Sequence, residues 1–260
     1  MLSVIIPVYN GKDLIVETIE SILKQNVEKE LIIIDDCSLD GSYEFISELY
    51  IDNPLVKIIK NEFNMGMCKT ANKGIRLARG EYIILIGQDD ILESNHCEEM
   101  MKFFSDDVSM VFCDYVQMDG MGNVFDTSDH CLHKDKSIRD FCKFNTMPSV
   151  GLIMRADTLK NVGCYPENDK FPNYGEYHLW IRMAMAGRVV FCDSVRARYR
   201  RHQHNISNTF SNKNIRIKLN KYYNTCRKQI VDCKEIPITV RLYTLLFMWY
   251  YTFRLHFIGR

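Results

Sequence analysis

Four short β-branched runs punctuate the first ninety residues, and each is separated from the next by one helix-length segment. No other feature constrains the fold as much. The runs are Leu2 to Val8, Leu31 to Ile34, Val56 to Ile59 and Tyr82 to Ile86. Between the first two, residues 12–25 place Leu14, Ile15, Ile19, Ile22 and Leu23 on one helical face. Turn and cap residues from Cys37 to Ser42 open a second helix that runs to about Tyr50. Cys68, Ala71, Ile75 and Ala78, at spacings of three, four and three, line a third. Short strands joined by single helices are βαβ units, so a parallel sheet covered on both faces is expected. In such sheets ligands bind outside the carboxyl ends of the strands. Pro7-Val8-Tyr9-Asn10, Asp35-Asp36, Asn61 to Asn64 and Asp89-Asp90 all fall at that edge and are expected to be neighbours in space.

After residue 105 the rhythm changes. Met110 to Gln117 is strand-like, and Asp119-Gly120-Met121-Gly122-Asn123 is a hairpin turn signal. Leu152 to Arg155 and Val189 to Asp193 are further strands, with a helix over Glu176 to Ala186 between them. This more irregular half is where a second substrate would be recognised. The expected division is 1–105 and 106–210 as two halves of one domain, followed by a tail at 211–260.

Adjacent carboxylates at a strand end are hard oxygen donors that suit magnesium or manganese together with substrate phosphates. Asp89-Asp90 has that form, and Asp35-Asp36 repeats it. The competing reading makes Asp90 the N-cap of a helix through Ile91-Leu92-Glu93. Tyr9 beside Asp36 makes a sensible nucleoside clamp, an aromatic face next to a strand-end carboxylate. Ten cysteines without a CxxC pair predict reduced structural thiols rather than disulfides or a zinc cluster. His130 and His133, on a polar stretch, are expected to be merely solvated.

Ser3-Val4-Ile5-Ile6-Pro7-Val8-Tyr9-Asn10 and Ile33-Ile34-Asp35-Asp36-Cys37-Ser38 resemble the first two motifs of the family 2 glycosyltransferases. Asn64-Met65-Gly66, Ala71-Asn72-Lys73-Gly74-Ile75 and Ala78-Arg79-Gly80-Glu81-Tyr82-Ile83 resemble the third block, which runs into Asp89-Asp90. The resemblance implies the GT-A fold, an α/β architecture with a Rossmann-like, mostly parallel sheet flanked by helices and a mixed C-terminal acceptor half. It also implies inversion at the anomeric carbon by single displacement. Pro7, Val8 and Tyr9 would line the base pocket, with Asn64 beside them. Asp36 would accept a hydrogen bond from the base, Asp89 would face the ribose or sugar phosphate, and Asp90 would bind Mn²⁺ or Mg²⁺. The family motif Asp-x-Asp-Asp is Gly87-Gln88-Asp89-Asp90 here, so its first carboxylate is missing.

Tyr174-Gly175-Glu176-Tyr177-His178-Leu179-Trp180-Ile181-Arg182 resembles the family's Glu-Asp-x-Asp-Leu-Trp-x-Arg helix, which sets Glu176 in the place of the catalytic base. A Glu that only stabilises a helix start is the competing reading. His178 replaces a carboxylate of that motif, and its role is open. In Tyr199-Arg200-Arg201-His202-Gln203-His204-Asn205, His202 is a candidate third metal ligand. The sequon Asn205-Ile206-Ser207 is expected to be chance. The resemblance implies transfer from a nucleotide sugar, with UDP-sugars favoured, to a glycan or lipid-linked acceptor in cell-surface polysaccharide synthesis. The altered metal and base motifs keep open a catalytically silent, nucleotide-binding assembly subunit.

Net charge is zero, but residues 211–260 hold ten Lys and Arg against two Asp and Glu, a tail of +8 on a body of −8. The body lacks a basic face interleaved with aromatics, which speaks against nucleic acid. The first residues lack a signal peptide's basic region and cleavage site, so a cytoplasmic protein is expected. The apolar stretch Leu242 to Phe253 is shorter than the ~18–20 residues of a spanning helix. It fits a helix lying in a membrane interface, on the inner face of the cell membrane, or one packed on the domain or a dimer partner.

Overall fold

The computed structural model describes residues 1–145, 147–167, 175–203, 205 and 213–254. Its first half is the expected βαβ series: β1 (Leu2–Val8), α1 (Ile15–Leu23), β2 (Lys29–Asp35), α2 (Ser42–Leu49), β3 (Val56–Lys60), α3 (Met67–Leu77) and β4 (Tyr82–Leu85). These strands pair in parallel in the order β3-β2-β1-β4. Leu31 and Ile33 of β2 pack on one side with Ile15, Ile19 and Ile22 of α1, while Ile32 and Ile34 pack on the other with Cys68, Ala71 and Ile75 of α3. Burial on both faces explains why β2 reads as an unbroken apolar run, and each enclosed Ile side chain contributes about 1.5–3 kcal/mol.

The chain then adds β5 (Ile91–Leu92), α4 (His96–Met101), β6 (Val108–Met118), β7 (Val124–Asp126), a 3₁₀ turn (Ile138–Cys142), β8 (Ile153–Arg155), α5 (Ala156–Asn161), α6 (Glu176–Ala186) and β9 (Arg188–Arg200). Among the described residues these strands continue the same sheet as β4-β8-β6-β9-β5, with β7 beside β6. β8 is antiparallel to both β4 and β6, whereas β9 runs parallel to β6. Most strands therefore share one direction, and the two predicted halves join through the β4–β8 pairing. The expected hairpin is present, closed by the Asp119 amide donating to the Asn123 carbonyl at 2.9 Å.

Two expectations are corrected here. Ile91-Leu92 is a strand paired antiparallel with Arg198 and Ala197, so Asp90 does not cap a helix. The strand expected over Val189 to Asp193 extends to Arg200, with a break in register opposite Phe112 to Asp114.

The predicted boundary at residue 210 lies outside the described residues, as do Ile206 and Ser207 of the sequon, Tyr174 of the base-candidate motif, His204, and the tail beyond Arg254. The rest of the tail forms α7 (Lys213–Asp232) and α8 (Ile238–Phe253). Tyr222, Cys226 and Ile230 of α7 and Val240 of α8 join the core that includes Tyr177 and Trp180 of α6. The outer side of α8 leaves Leu242, Leu246 and Trp249 exposed. All ten cysteines are free thiols, as expected.

Candidate active site

The order of the strands builds the site. The chain winds outward from β1 through β2 to β3 and then crosses back to place β4 on the other side of β1. Loops diverge at such a switch point and leave a crevice beyond the carboxyl ends. A cleft of about 1290 Å³ opens there. Pro7, Val8, Tyr9, Asp36, Asn64, Asp89, Asp90, Glu176 and His202 all line it. The sequence-predicted site residues are thus brought together in one cavity, although α6 and the loop after β9 supply two of them. His178 is not among the lining residues. Its ring nitrogen Nδ1 is buried, and burial and the neighbouring Arg182 charge depress its pKa to about 4.

At the β1 end Tyr9 is 45% exposed to the cleft. Its backbone amide donates to Gln88 Oε1 at 2.8 Å, and Gln88 Nε2 donates back to the Tyr9 carbonyl at 3.1 Å. The Gln88 amide thereby acts as an extra rung between the ends of β1 and β4. Asp36 is buried and faces the start of α3. Its Oδ1 accepts from Asn61 Nδ2 and the Met65 amide, each at 2.8 Å, and its Oδ2 accepts from the Gly66 amide at 2.8 Å. Gly66 has φ +82°, a positive value that glycine adopts freely. A carboxylate has about four acceptor positions, so Asp36 retains capacity for a ligand donor.

The carboxylate pair is the most polar part of the cleft. A side-chain carbon built on Gly87 would lie 2.8 Å from Asp89 Oδ1 and 3.0 Å from Asp90 Oδ2. Both carboxylates therefore turn into the space that glycine leaves open, and a larger residue at 87 would displace them. Asp90 is buried, and burial followed by the Asp89 charge holds its carboxyl well above the usual range. The Arg200 amide, donating to Asp90 Oδ1 at 3.1 Å, offsets only part of this, and the Glu176 charge adds to it.

His202 Nε2 lies 2.7 Å from Asp89 Oδ2, so the imidazole partners Asp89 rather than Asp90. Two oxygen donors converging over Gly87 with an imidazole alongside fit a divalent cation that also takes phosphate oxygens. Asp90 would hold it, and His202 would join it by turning from Asp89, since the three side chains do not meet as one close trio.

Glu176 opens α6 behind Gly175 and reaches the same cavity. Burial raises its carboxyl pKa, and a hydrogen bond with Ser149 works against the rise. A carboxylate with a raised pKa is a better proton acceptor near neutral pH.

Three residues that hold the site have no clear signal in the sequence. Arg200 is fully buried and does not reach the cleft; it pairs with Glu17 at 2.6 Å and donates to the carbonyls of Asp89 at 2.9 Å and Gly120 at 3.0 Å. Asn205 donates to the Arg200 carbonyl at 3.0 Å and to Asp89 Oδ2 at 3.4 Å, so the sequon asparagine anchors the loop that carries His202. Gln88 is the third. The expectation for His133 is also corrected. It is not merely solvated, because its Nε2 sits 2.7 Å from the buried Asp114 carboxylate. His130, expected to be solvated as well, stacks on Tyr115 with ring centroids 4.3 Å apart.

Known proteins carry the same architecture. The structure of Staphylococcus aureus TarS residues 1–349 in complex with UDP-GlcNAc superposes with a TM-score of 0.74, covering 95% of this chain and 71% of that one at 18% identity. The mannosyltransferase PcManGT of Pyrobaculum calidifontis, in complex with GDP-Man and Mn²⁺, gives 0.65 over 98% and 70% at 16% identity. Those likenesses establish the GT-A fold. In sequence, the glycosyltransferase GlyG of Streptococcus pneumoniae is 27% identical over 80% of this chain and 73% of its own length. The model of glycosyl transferase family 2 matches residues 3–163, from the first strand through the carboxylate pair and into the second half. The chain belongs to glycosyl transferase family 2.

Proposed function

We propose that this protein is an inverting, metal-dependent glycosyltransferase. It moves a sugar from a nucleotide-diphosphate sugar, with a UDP-sugar favoured, to a hydroxyl of a glycan or lipid-linked acceptor in cell-surface polysaccharide synthesis. The observation that carries the proposal is the convergence of Asp89, Asp90 and Glu176 on one cleft beside Tyr9 and Asp36. Tyr9 offers a ring face to the nucleobase, and Asp36 offers the acceptor position left after its three backbone and side-chain donors are counted. Asp89 faces the ribose or sugar phosphate, and Asp90 with His202 holds Mn²⁺ or Mg²⁺. The bound ion would neutralise charge on the departing diphosphate. Glu176 takes the proton of the acceptor hydroxyl, whose oxygen forms the new bond to the anomeric carbon as the bond to the diphosphate breaks on the opposite face. The bound ligands of the two structural neighbours support a nucleotide-sugar donor, and the Mn²⁺ of one supports the cation.

A thermal-shift series with UDP, GDP and their sugars, with and without manganese, tests this reading. A matching nucleotide at 100 times its Kd adds ~2.7 kcal/mol of stability. A manganese-dependent shift together with slow donor hydrolysis is expected. A shift without any turnover would favour the silent, nucleotide-binding subunit, and no shift with any nucleotide would remove the donor site.

The tail favours an acceptor presented at a membrane. Ile238, Leu242, Leu245, Leu246, Trp249 and Phe253 are all exposed, and they recur at helical spacing on a segment of net charge +8. An apolar helical face flanked by basic residues suits an anionic lipid interface, each basic residue near the surface adding about 1 kcal/mol. No helix among the described residues is long and apolar enough to cross a membrane. The protein is expected to sediment with phosphatidylglycerol vesicles and much less with phosphatidylcholine vesicles. The Leu246→Glu/Trp249→Glu variant should lose that binding with its fold intact. Equal sedimentation of variant and wild type would end the membrane reading.

A further inference from the structure

Away from the cleft, the break in register between β6 and β9 sets Asp114 opposite Arg196, and the segment from residue 127 to 137 is tied to β9 by Arg196 donating to Thr127 and Asp129 and by a bridge from Lys136 to Val189. Asp114 is 1% exposed, and its carboxylate is the anchor of that segment. It accepts from the Tyr115 amide at 2.9 Å and the His130 amide at 3.1 Å, and it meets His133 Nε2 at 2.7 Å. Cys131 is half-buried between them. The carboxylate oxygen, a ring nitrogen of His133 and the sulfur of Cys131 all lie within 4.8 Å of one another, the one such trio among the described residues. His133 stacks on Phe191 with ring centroids 4.8 Å apart, which fixes the plane of the imidazole.

We propose that Asp114, Cys131 and His133 form a second metal site, distinct from the cleft, that takes a zinc-type divalent ion and clamps the 127–137 segment onto β6. The donor set decides the ion. A thiolate, an imidazole and one carboxylate select zinc over the hard magnesium and manganese expected at Asp90. Ligand atoms around a tetrahedral zinc lie about 3.5 Å apart, so the trio closes onto an ion with side-chain movements of about an ångström. The ion replaces the imidazole proton now shared with Asp114, which moves to the other ring nitrogen, and the Cys131 thiol releases its proton to solvent. His133 is 36% exposed, which leaves a route in and a fourth position for water. Asp129 lies 3.4 Å from His133 Nε2 and is itself held by Arg196 at 2.6 Å, so its carboxylate stands beside the fourth position, where it can hold the bound water. The two stacked rings and the backbone donors supply the outer support that metal ligands require.

Cobalt(II) titration of the tag-free full-length protein tests the site. The thiolate-to-cobalt charge-transfer band of the wild type is expected to saturate at one equivalent and to be displaced by zinc, apart from any cobalt taken by the cleft. Cys131→Ser should abolish that band and His133→Asn should weaken binding, while Asp90→Asn should leave both unchanged. Asp129→Ala should weaken zinc binding about tenfold. Melting curves in EDTA keep the test falsifiable, because a variant that melts like the wild type without metal has lost ligands and not its fold. A band that persists in Cys131→Ser would assign the ion to another of the ten cysteines and overturn the proposal. Failure of the wild type to retain zinc at micromolar concentration would overturn it as well, leaving the trio as a hydrogen-bonded loop anchor.

Discussion

Asp90→Asn is expected to lower sugar transfer by about a thousandfold and yet raise the melting temperature of the metal-free protein. The loss follows from removing a charged ligand at the point where the diphosphate departs, a contribution of several kcal/mol to the transition state. The gain in stability follows from the raised carboxyl pKa of Asp90, caused first by burial and then by Asp89. A group with a higher pKa in the folded chain favours folding below its unfolded value of ~3.9, and that advantage is lost as pH rises through the folded value. At neutral pH Asp90 therefore costs stability, and asparagine does not carry this cost while its side-chain oxygen can still accept from the Arg200 amide. Manganese should stabilise the wild type and leave the variant unmoved. Scanning calorimetry in EDTA and in manganese, beside a transfer assay, checks both halves. A variant that melts lower than the wild type in EDTA would contradict the buried-charge account, and one that keeps transfer within tenfold would remove Asp90 from the metal site.

Glu176→Gln should reduce kcat by about 10²–10⁴-fold, the usual worth of a positioned general base, with donor affinity little changed. The substitution keeps shape and the partner Ser149 but removes proton affinity. Because burial raises the Glu176 pKa, the wild-type rate should climb with pH through a value above the ordinary glutamate range and then level off. The residual rate of the variant should lack that limb. The same raised pKa means that Glu176, like Asp90, contributes folding stability only at low pH and loses it as pH rises, so the variant should melt no lower than the wild type near neutrality. Single-turnover rates across pH with a saturating donor decide the matter. A variant with the same kcat, or with the same pH limb, would return Glu176 to the role of a helix-start acid.

The first half of the fold was legible because strands buried on both faces read as continuous apolar runs, as in Leu31 to Ile34. β9 was shortened to Val189 to Asp193 in the sequence reading for the opposite reason. Its second part carries Arg196, Arg198 and Arg200, and these charged side chains break the apolar signal while the backbone stays paired to β6. β5 was invisible because two residues carry no period, and only pairing with β9 makes them a strand. The Asp114 trio escaped notice because Asp114 sits within strand β6, while Cys131 and His133 lie on a polar stretch up to nineteen residues further on. For the apolar helix of the tail the sequence leaves two alternatives open, a membrane interface or packing on the domain or a partner, and α8 packs on the core through Val240. α7 packs on α6, while α8 keeps an outward apolar face.

By itself the sequence determined the parallel sheet, the edge at which Tyr9, Asp36 and Asp89-Asp90 gather, and the helix that begins with Glu176. These are local periodicities and turn signals, set by each segment's own need to bury one or both faces. Tertiary structure alone decided which atoms meet. His202, 113 residues away, closed on Asp89, and Arg200 turned inward to Glu17 as a strut. Such contacts depend on how loops from distant strands cross one sheet edge, and no window of sequence contains both partners.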